Sequence, residues 1–122
     1  MTYLCKEPET WSGKVVGTGH CVPFVQEAAG CPVTSQWNEG ANVQETYTTI
    51  AAGTAIATFV DGAYENKKSG NHAAIFVAGD ADGIDVWDQW LGQPVHKRRI
   101  RFRSEKWQGS ASNNANKFSV IE

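Results

Sequence analysis

Cys21, His72 and Asp88 are the residues of this 122-residue chain whose types and order could support nucleophilic catalysis. A cysteine becomes an effective nucleophile when a neighbouring base raises its thiolate fraction, and the base works better when a third group orients its ring. We therefore predict acyl transfer through a covalent intermediate on Cys21. In this scheme His72 is the base and Asp88 is the orienting carboxylate.

Cys21 begins a segment with helical periodicity. Apolar residues recur three and four positions apart between 22 and 29, which predicts a short amphipathic helix. Pro23 is tolerated because it falls in the first turn, and Gly30 followed by Pro32 ends the helix. A helix N-terminus favours a negative charge, so this position is expected to lower the pKa of the Cys21 thiol.

The histidine and the acid are expected to meet across a β-hairpin. Segments 72–78 and 84–90 have strand character and flank a cluster of turn residues. Centring the turn on Asp80 places His72 directly opposite Asp88 on one face of the hairpin. Two apolar pairs support this register: Ala74 with Val86, and Phe76 with Ile84. A carboxylate beside an imidazole fixes its tautomer and favours its protonated form.

Further segments complete the predicted sheet. Residues 53–60 and 95–103 are typical of strands, and 118–121 is expected to close the sheet as an edge strand. The polar segment 34–49 is expected to be a loop with room for a short helix, and 64–70 a basic loop.

Length and composition bound the class of protein. A chain of 122 residues fits one domain, spanning 1–122, and the order of elements predicts an α+β architecture. The apolar fraction is 41%, which suits a folded domain, and the net charge of −2 argues against nucleic-acid binding. No apolar run approaches the length of a membrane span. Residues 1–13 lack the pattern of a Sec-type signal peptide, so we expect synthesis in the cytoplasm and any export by another route.

The three cysteines and three histidines do not have the spacing of a zinc site, and no metal or other cofactor is predicted. Cys5 and Cys31 are compatible either with a disulfide in an oxidising compartment or with two buried thiols. Asp80, Asp82 and Asp85 match only part of a calcium-loop pattern, and a hairpin turn accounts for the first two.

Four residues near the predicted catalytic set are candidates for substrate binding: Trp37, Trp90, His20 and Gln89. The strand alternation returns Trp90 to the face of Asp88, where it would line a cleft. Trp37 lies in a polar segment, where it forms either a groove wall or a plug at the edge of the core. His20 is expected at the cleft rim, with an oxyanion-binding role as the alternative.

The basic residues of 97–103 are expected to be a solvated strand face, with attraction to an anionic polymer as the alternative.

Several stretches resemble the CHAP and NlpC-type papain-like cysteine hydrolases. They are GTGHCVPFVQEAAG (17–30), similar to the catalytic-cysteine helix; GNHAAIFV (70–77), similar to the histidine strand; and IDVWDQW (84–90), similar to the strand with the third polar residue. TSQWNEG (34–40) and GTAIATF (53–59) are similar to a small bacterial subfamily of this group. The resemblance covers about residues 11–103.

The resemblance implies a papain-like α+β fold, with an N-terminal catalytic-cysteine helix packed on a C-terminal antiparallel sheet. It implies hydrolysis of an amide bond in the peptide stem or crosslink of peptidoglycan, by a triad of Cys21, His72 and Asp88. Small hydrolases of this kind resemble antibacterial effectors of the type VI secretion system. Such effectors act in the periplasm of a target cell and are blocked by a cognate immunity protein.

Two other functions are compatible with the residues. A cysteine protease that acts on proteins would have the same triad and a different groove. A non-catalytic binding module would use Cys21 only for packing. Release of fragments from purified peptidoglycan, lost in Cys21→Ala, separates the three interpretations.

Overall fold

The computed structural model describes residues 2–122 and has an α+β architecture. The helices are α1 (Cys21–Ala29) and α2 (Val43–Thr46), and the strands are β1 (Glu39–Asn42), β2 (Ala55–Thr58), β3 (Ala73–Gly79), β4 (Gly83–Trp90), β5 (Gln93–Arg101) and β6 (Phe118–Ile121). Short 3-10 helices cover Pro8–Trp11, Thr34–Gln36, Ala111–Asn113 and Ala115–Lys117. Across residues 2–122 we find no helix with the length and apolar composition that a bilayer crossing requires.

The strands form one antiparallel sheet in the order β1-β6-β2-β3-β4-β5. The prediction of 118–121 as an edge strand is wrong, because β6 pairs with β1 on one side and β2 on the other. All four of its side chains are buried, as expected for a strand inside a sheet. The edges are β1 and β5.

Strand β1 lies within the segment that was expected to be a loop. Its sequence, EGAN, has low intrinsic strand propensity, so the local pattern does not indicate a strand. Pairing with β6 provides its backbone partners, with Glu39 opposite Ile121. The strand therefore depends on a long-range contact rather than on local preference.

Helix α1 has the bounds that the periodicity predicts, and it packs on the sheet as the resemblance implies. Gly30 ends it with φ of 76°, a left-handed conformation that glycine adopts without strain. Phe24 and Val25 of the helix pack in one core cluster with Ala73 and Ile75 of β3. A second cluster lies on the opposite face of the sheet and includes Phe76, Val86 and Phe118.

The β3–β4 hairpin has a different register from the predicted one. Phe76 pairs with Val86, whereas Ile84 was expected. Near the site the strands are therefore shifted by two residues, and Asp88 lies diagonal to His72 rather than directly opposite. A shift of two residues keeps each side chain on its face, because strand side chains alternate with a period of two.

The turn chemistry explains this shift. Gly79 pairs with Ile84, so the turn is centred later in the chain than Asp80. The carboxylate of Asp80 accepts hydrogen bonds from the backbone N–H groups of Asp82 and Gly83, at 2.8 and 3.2 Å, and fixes the turn there. Next to the turn the pairing is shifted by three residues from the predicted register. A bulge at Val77 reduces this shift to two residues near the site.

Candidate active site

Cys21 is the first residue of α1 and lies in a cleft of about 510 Å³. The cleft is lined mainly by His20, Cys21, Tyr64, Asn71, His72 and Trp90, with Lys67 and Lys68 at its rim. The helix begins here because His20 is extended and Pro23 lies in the first turn. The backbone N–H of Cys21 is among those that have no partner within the helix.

His72 immediately precedes β3 and is 4% exposed. Its Nε2 lies 2.7 Å from Oδ2 of Asp88, so the predicted contact between the two side chains is confirmed. Its backbone is also held, because the N–H donates to Oγ1 of Thr58 at 3.0 Å. His72 and Cys21 line the same cleft, and the imidazole lowers the pKa of the Cys21 thiol. Since Nε2 faces Asp88, Nδ1 is the ring nitrogen that remains for the sulfur.

Asp88 is fully buried and holds three basic side chains of the site. Its Oδ2 accepts from Nε of Arg98 at 2.7 Å, in addition to the His72 ring. Its Oδ1 lies 3.0 Å from Nε2 of His96, the residue directly opposite on β5. A buried carboxylate needs partners of this kind, because an unpaired charge in the protein interior is costly.

These contacts set the protonation states of the site. Burial opposes ionisation of the Cys21 thiol, but the hydrogen bond and charge of His72 outweigh it and lower the thiol pKa. Burial likewise opposes the imidazolium, but Asp88 and Cys21 raise the pKa of His72 to about 9. The pKa of Asp88 is lowered despite burial, through His72 and Arg98. At neutral pH the arrangement therefore favours a thiolate–imidazolium pair beside a carboxylate.

The other two cysteines differ from Cys21. Cys5, Cys21 and Cys31 are all free thiols, so the disulfide alternative is not the one observed. Burial raises the pKa of Cys5, and it raises the pKa of Cys31 to about 12. Only the cysteine in the cleft has a lowered pKa, which is the environment of a reactive thiol.

Two of the four predicted substrate contacts line the cleft. Trp90 is 42% exposed, and its ring lies edge-on to His72 with the centroids 6.4 Å apart. The guanidinium of Arg98 stacks over the same indole, 5.1 Å from its centroid. His20 is exposed at the mouth of the cleft, the rim position that was expected.

Trp37 and Gln89 do not lie where a substrate contact requires. Trp37 is 3% exposed, its indole donates to the carbonyl of Pro32 at 2.9 Å, and its ring packs on Tyr64. It is therefore the plug at the core edge rather than a groove wall. Gln89 is fully buried because the alternation of β4 turns it away from the face of Asp88. Its amide bonds the backbone of Val16 and His20 and is unavailable to a ligand.

The sequence interpretation missed Tyr64, Asn71 and Arg98 at the site. Tyr64 begins the stretch that was expected to be a basic loop, and a single aromatic residue carries little local signal. Asn71 precedes His72 and could have been inferred from that adjacency. Arg98 was grouped with a solvated face, although the alternation of β5 places it with Ile100, on the inner face.

No group of three or more His, Cys, Asp or Glu side chains within residues 2–122 is placed to hold a metal ion. The turn carboxylates Asp80 and Asp85 instead pair with Arg99.

A cysteine at a helix start, packed against a histidine on an antiparallel sheet, is the arrangement of papain-like hydrolases. The chain belongs to the domesticated amidase effector 2 family, whose model matches residues 1–121. It is accordingly an amidase, an enzyme that hydrolyses amide bonds.

Individual relatives are similar over most of their length. The chain is 42% identical over 118 residues to a type VI secretion amidase effector 2 protein of Salmonella typhi, covering 88% of each chain. It is 37% identical over 124 residues to domesticated amidase effector 2 of Ixodes scapularis, covering 97% of this chain and 83% of the relative. The solved structure of a type 6 secretion amidase effector 2 (Tae2) matches with a TM-score of 0.86 and 36% identity, over 98% of this chain and 94% of that one.

Proposed function

We propose that this amidase is a cysteine enzyme that cleaves an amide bond in the peptide part of peptidoglycan, with Cys21, His72 and Asp88 as its catalytic set. One observation carries the proposal: the buried His72 ring lies 2.7 Å from Asp88 and lines the same cleft as Cys21, whose thiol pKa it lowers. A ring held between a thiol and a carboxylate is suited to moving a proton.

The reaction is a double displacement. The Cys21 thiolate attacks the amide carbonyl carbon, a C–S bond forms, and the carbonyl π electrons move to oxygen. When the tetrahedral intermediate collapses, the C–N bond breaks and the imidazolium of His72 gives its proton to the leaving amine. Neutral His72 then takes a proton from water as the water oxygen bonds to the thioester carbon. The C–S bond breaks, the acid product leaves, and the thiolate–imidazolium pair is restored. Asp88 orients the ring and stabilises its charged form.

The substrate assignment rests on the names of the relatives and on the lining of the cleft. Two of the relatives are described as secretion amidase effectors, and the wall polymer of bacteria contains short peptides joined by amide bonds. The cleft is open enough for a peptide and carries an exposed tryptophan, Trp90, as a packing surface. Lys68, which also lines the cleft, suits the carboxylates of such peptides, whereas Lys67 beside it is paired with Glu65.

The same relatives support a role as an antibacterial effector. We include in the proposal that the chain is exported by a type VI secretion system and acts in the periplasm of a target cell. A cognate immunity protein is part of this proposal, because a producing cell must protect its own wall. Such a protein would cover the cleft around Cys21.

The test uses soluble muropeptides, released from Gram-negative sacculi by a muramidase, with products separated by chromatography. We expect new amine-bearing and acid-bearing fragments with the unmodified protein and none with Cys21→Ala or His72→Ala. Cys31→Ala is the matched control, since that thiol is buried outside the cleft. Cleavage of casein without cleavage of muropeptides would select the protein-protease alternative. Full activity in Cys21→Ala would refute the catalytic assignment.

A further inference from the structure

The hydroxyl of Tyr64 lies 3.9 Å from the sulfur of Cys21 at the floor of the cleft. Its ring is packed against Trp37, with centroids 4.7 Å apart, and edge-on against Phe59 at 6.5 Å. The side chain is buried apart from what the cleft exposes. Two aromatic neighbours therefore hold the phenol in one place before any substrate arrives, which is the preorganisation that transition-state stabilisation requires.

The hydrogen-bond partners of Tyr64 leave its proton available to the site. Nδ2 of Asn71 donates to the phenolic oxygen at 3.1 Å, so this oxygen accepts from the asparagine. Its own proton must then point to another acceptor, and the sulfur of Cys21 lies on the cleft side. Burial, together with the charge of Cys21, raises the pKa of Tyr64 well above its usual value. The phenol thus keeps its proton throughout the working pH range.

We propose that the Tyr64 hydroxyl is an oxyanion donor of this amidase and that, with the backbone N–H of Cys21, it stabilises the oxygen of the tetrahedral intermediate. The assignment rests on the proposed function of the same site. The 3.9 Å gap between hydroxyl and sulfur leaves room for one oxygen at about 2.8 Å from the phenol while its carbon is bonded to sulfur. The phenol donates a hydrogen bond and transfers no proton.

The proposal also gives the burial of Trp37 a functional consequence. Its indole is fixed to the carbonyl of Pro32 and forms a wall behind the phenol. Asn71 adjoins His72 in the chain, so the segment that presents the base also directs the hydroxyl of Tyr64. Trp37 and Asn71 act through Tyr64 and are positioning residues.

The test is Tyr64→Phe, which keeps the ring and removes only the hydroxyl, with Tyr47→Phe as the matched control. Tyr47 packs against Phe102 in the second core cluster, away from the cleft. On the soluble muropeptides we expect kcat to fall about 100-fold with KM nearly unchanged, the usual effect of losing one oxyanion donor. The Tyr47 variant should keep full activity, and thermal melts should show that both variants are folded.

Alkylation by iodoacetamide distinguishes this role from support of the thiolate. Alkylation displaces iodide at a saturated carbon and places no charge on a carbonyl oxygen. In Tyr64→Phe its rate at the pH plateau should therefore change less than about threefold, which is small compared with the loss of one oxyanion donor. An unchanged kcat in Tyr64→Phe would overturn the proposal, and so would an alkylation rate that falls in parallel with turnover. If Cys21→Ala kept full hydrolysis, the proposed function itself would fail, whatever Tyr64→Phe shows.

Discussion

Gln89 and Val16, 73 residues apart in the chain, are joined by two reciprocal hydrogen bonds. The N–H of Val16 donates to Oε1 of Gln89 at 3.0 Å, and Nε2 of Gln89 donates to the carbonyl of Val16 at 2.8 Å. The same Nε2 donates to the carbonyl of His20 at 2.8 Å. Gln89 thus fastens the segment that leads into Cys21 to strand β4. Its neighbour Asp88 points to the other face of that strand and contacts His72, so one strand holds both the segment leading into Cys21 and the His72 ring.

Gln89→Leu should weaken both the fold and the site. The substitution leaves the buried N–H of Val16 without its acceptor, at a cost of about 1–3 kcal/mol, whereas the carbonyl of Val16 still accepts from the N–H of Gly19. We expect a lower midpoint of chemical denaturation and at least a tenfold loss of kcat, because Cys21 is no longer held at its place. Gln93→Leu is the control, since its amide donates to the carbonyl of the adjacent Pro94 rather than to the segment before Cys21. Normal turnover in a folded Gln89→Leu protein would show that the loop is held by other contacts.

Cys21 should be the first thiol to react in the folded protein. Its pKa is lowered by His72, whereas burial raises the pKa of both other cysteines. Iodoacetamide at about pH 6.5, below the ordinary thiol pKa, should therefore label Cys21 alone. Cys5 and Cys31 should react only after denaturation, and peptide mapping identifies each adduct. Early labelling of Cys31 would contradict the assignment.

Activity should have a bell-shaped pH profile. In the proposed mechanism the working state is the thiolate–imidazolium pair, so the rate should rise as Cys21 loses its proton, at a pH below the ordinary thiol value. It should fall again as His72 loses its proton near pH 9. The alkaline limb of kcat/KM on soluble muropeptides measures the second ionisation. A single acid limb that continues flat beyond pH 10 would argue against a charged His72.

Asp88→Asn and Asp88→Ala should differ in the activity that each variant retains. In Asp88→Asn one oxygen can still accept from His72 and Arg98, and the new amide can donate to Nε2 of His96, which faces that position. Asp88→Ala removes all three contacts and should destabilise the fold by about 3 kcal/mol, because Arg98 loses its buried partner. We expect strong loss of activity in the alanine variant and partial retention in the asparagine variant.

Both Asp88 variants should lower the pKa of His72, since the negative charge that raises it is gone. Titration of the His72 ring by NMR measures the change. If the titration of His72 in Asp88→Asn matched that of the unmodified protein, the carboxylate would not be the group that holds the imidazolium.

Trp90→Ala should affect substrate binding more than chemistry. The indole forms an exposed wall of the cleft and contacts His72 only through its edge. We expect KM on soluble muropeptides to rise several-fold, with a smaller change in kcat, because packing surface is lost while the reacting groups remain. Trp107→Ala is the matched control, since that ring lies under Arg103 outside the cleft. Equal effects of the two substitutions on KM would show that Trp90 is not part of the substrate-binding surface.

Much of the site could be predicted because it follows local periodicity. Helical spacing placed Cys21 at the start of α1, and strand alternation placed His72 and Asp88 on one face. The predicted register was wrong by two residues, yet the contact survived, because an even shift preserves the face. An odd shift would have turned Asp88 away from the site.

The roles of Trp37, Gln89 and Tyr64 could not be read in the same way. Strand alternation correctly places Gln89 on the opposite face from Asp88. It does not show that the side chain of Gln89 will hydrogen-bond the backbone of Val16 on that face. Trp37 and Tyr64 lie in irregular segments, where no period indicates which side is buried. Their positions at the site are set only when the chain between α1 and β3 folds across it.

The sequence by itself determined the helix that begins at the cysteine and the face shared by the histidine and the acid. Both depend on backbone geometry, which repeats every 3.6 residues in a helix and every two residues in a strand. The pattern of a short segment of sequence is therefore enough to predict them. The tertiary structure decided that β6 lies inside the sheet, that Gln89 fastens the cysteine segment, and that Tyr64 points its hydroxyl at the sulfur. Each of these is a contact between residues far apart in the chain, and its energy comes from burial and hydrogen-bond satisfaction that no local pattern encodes.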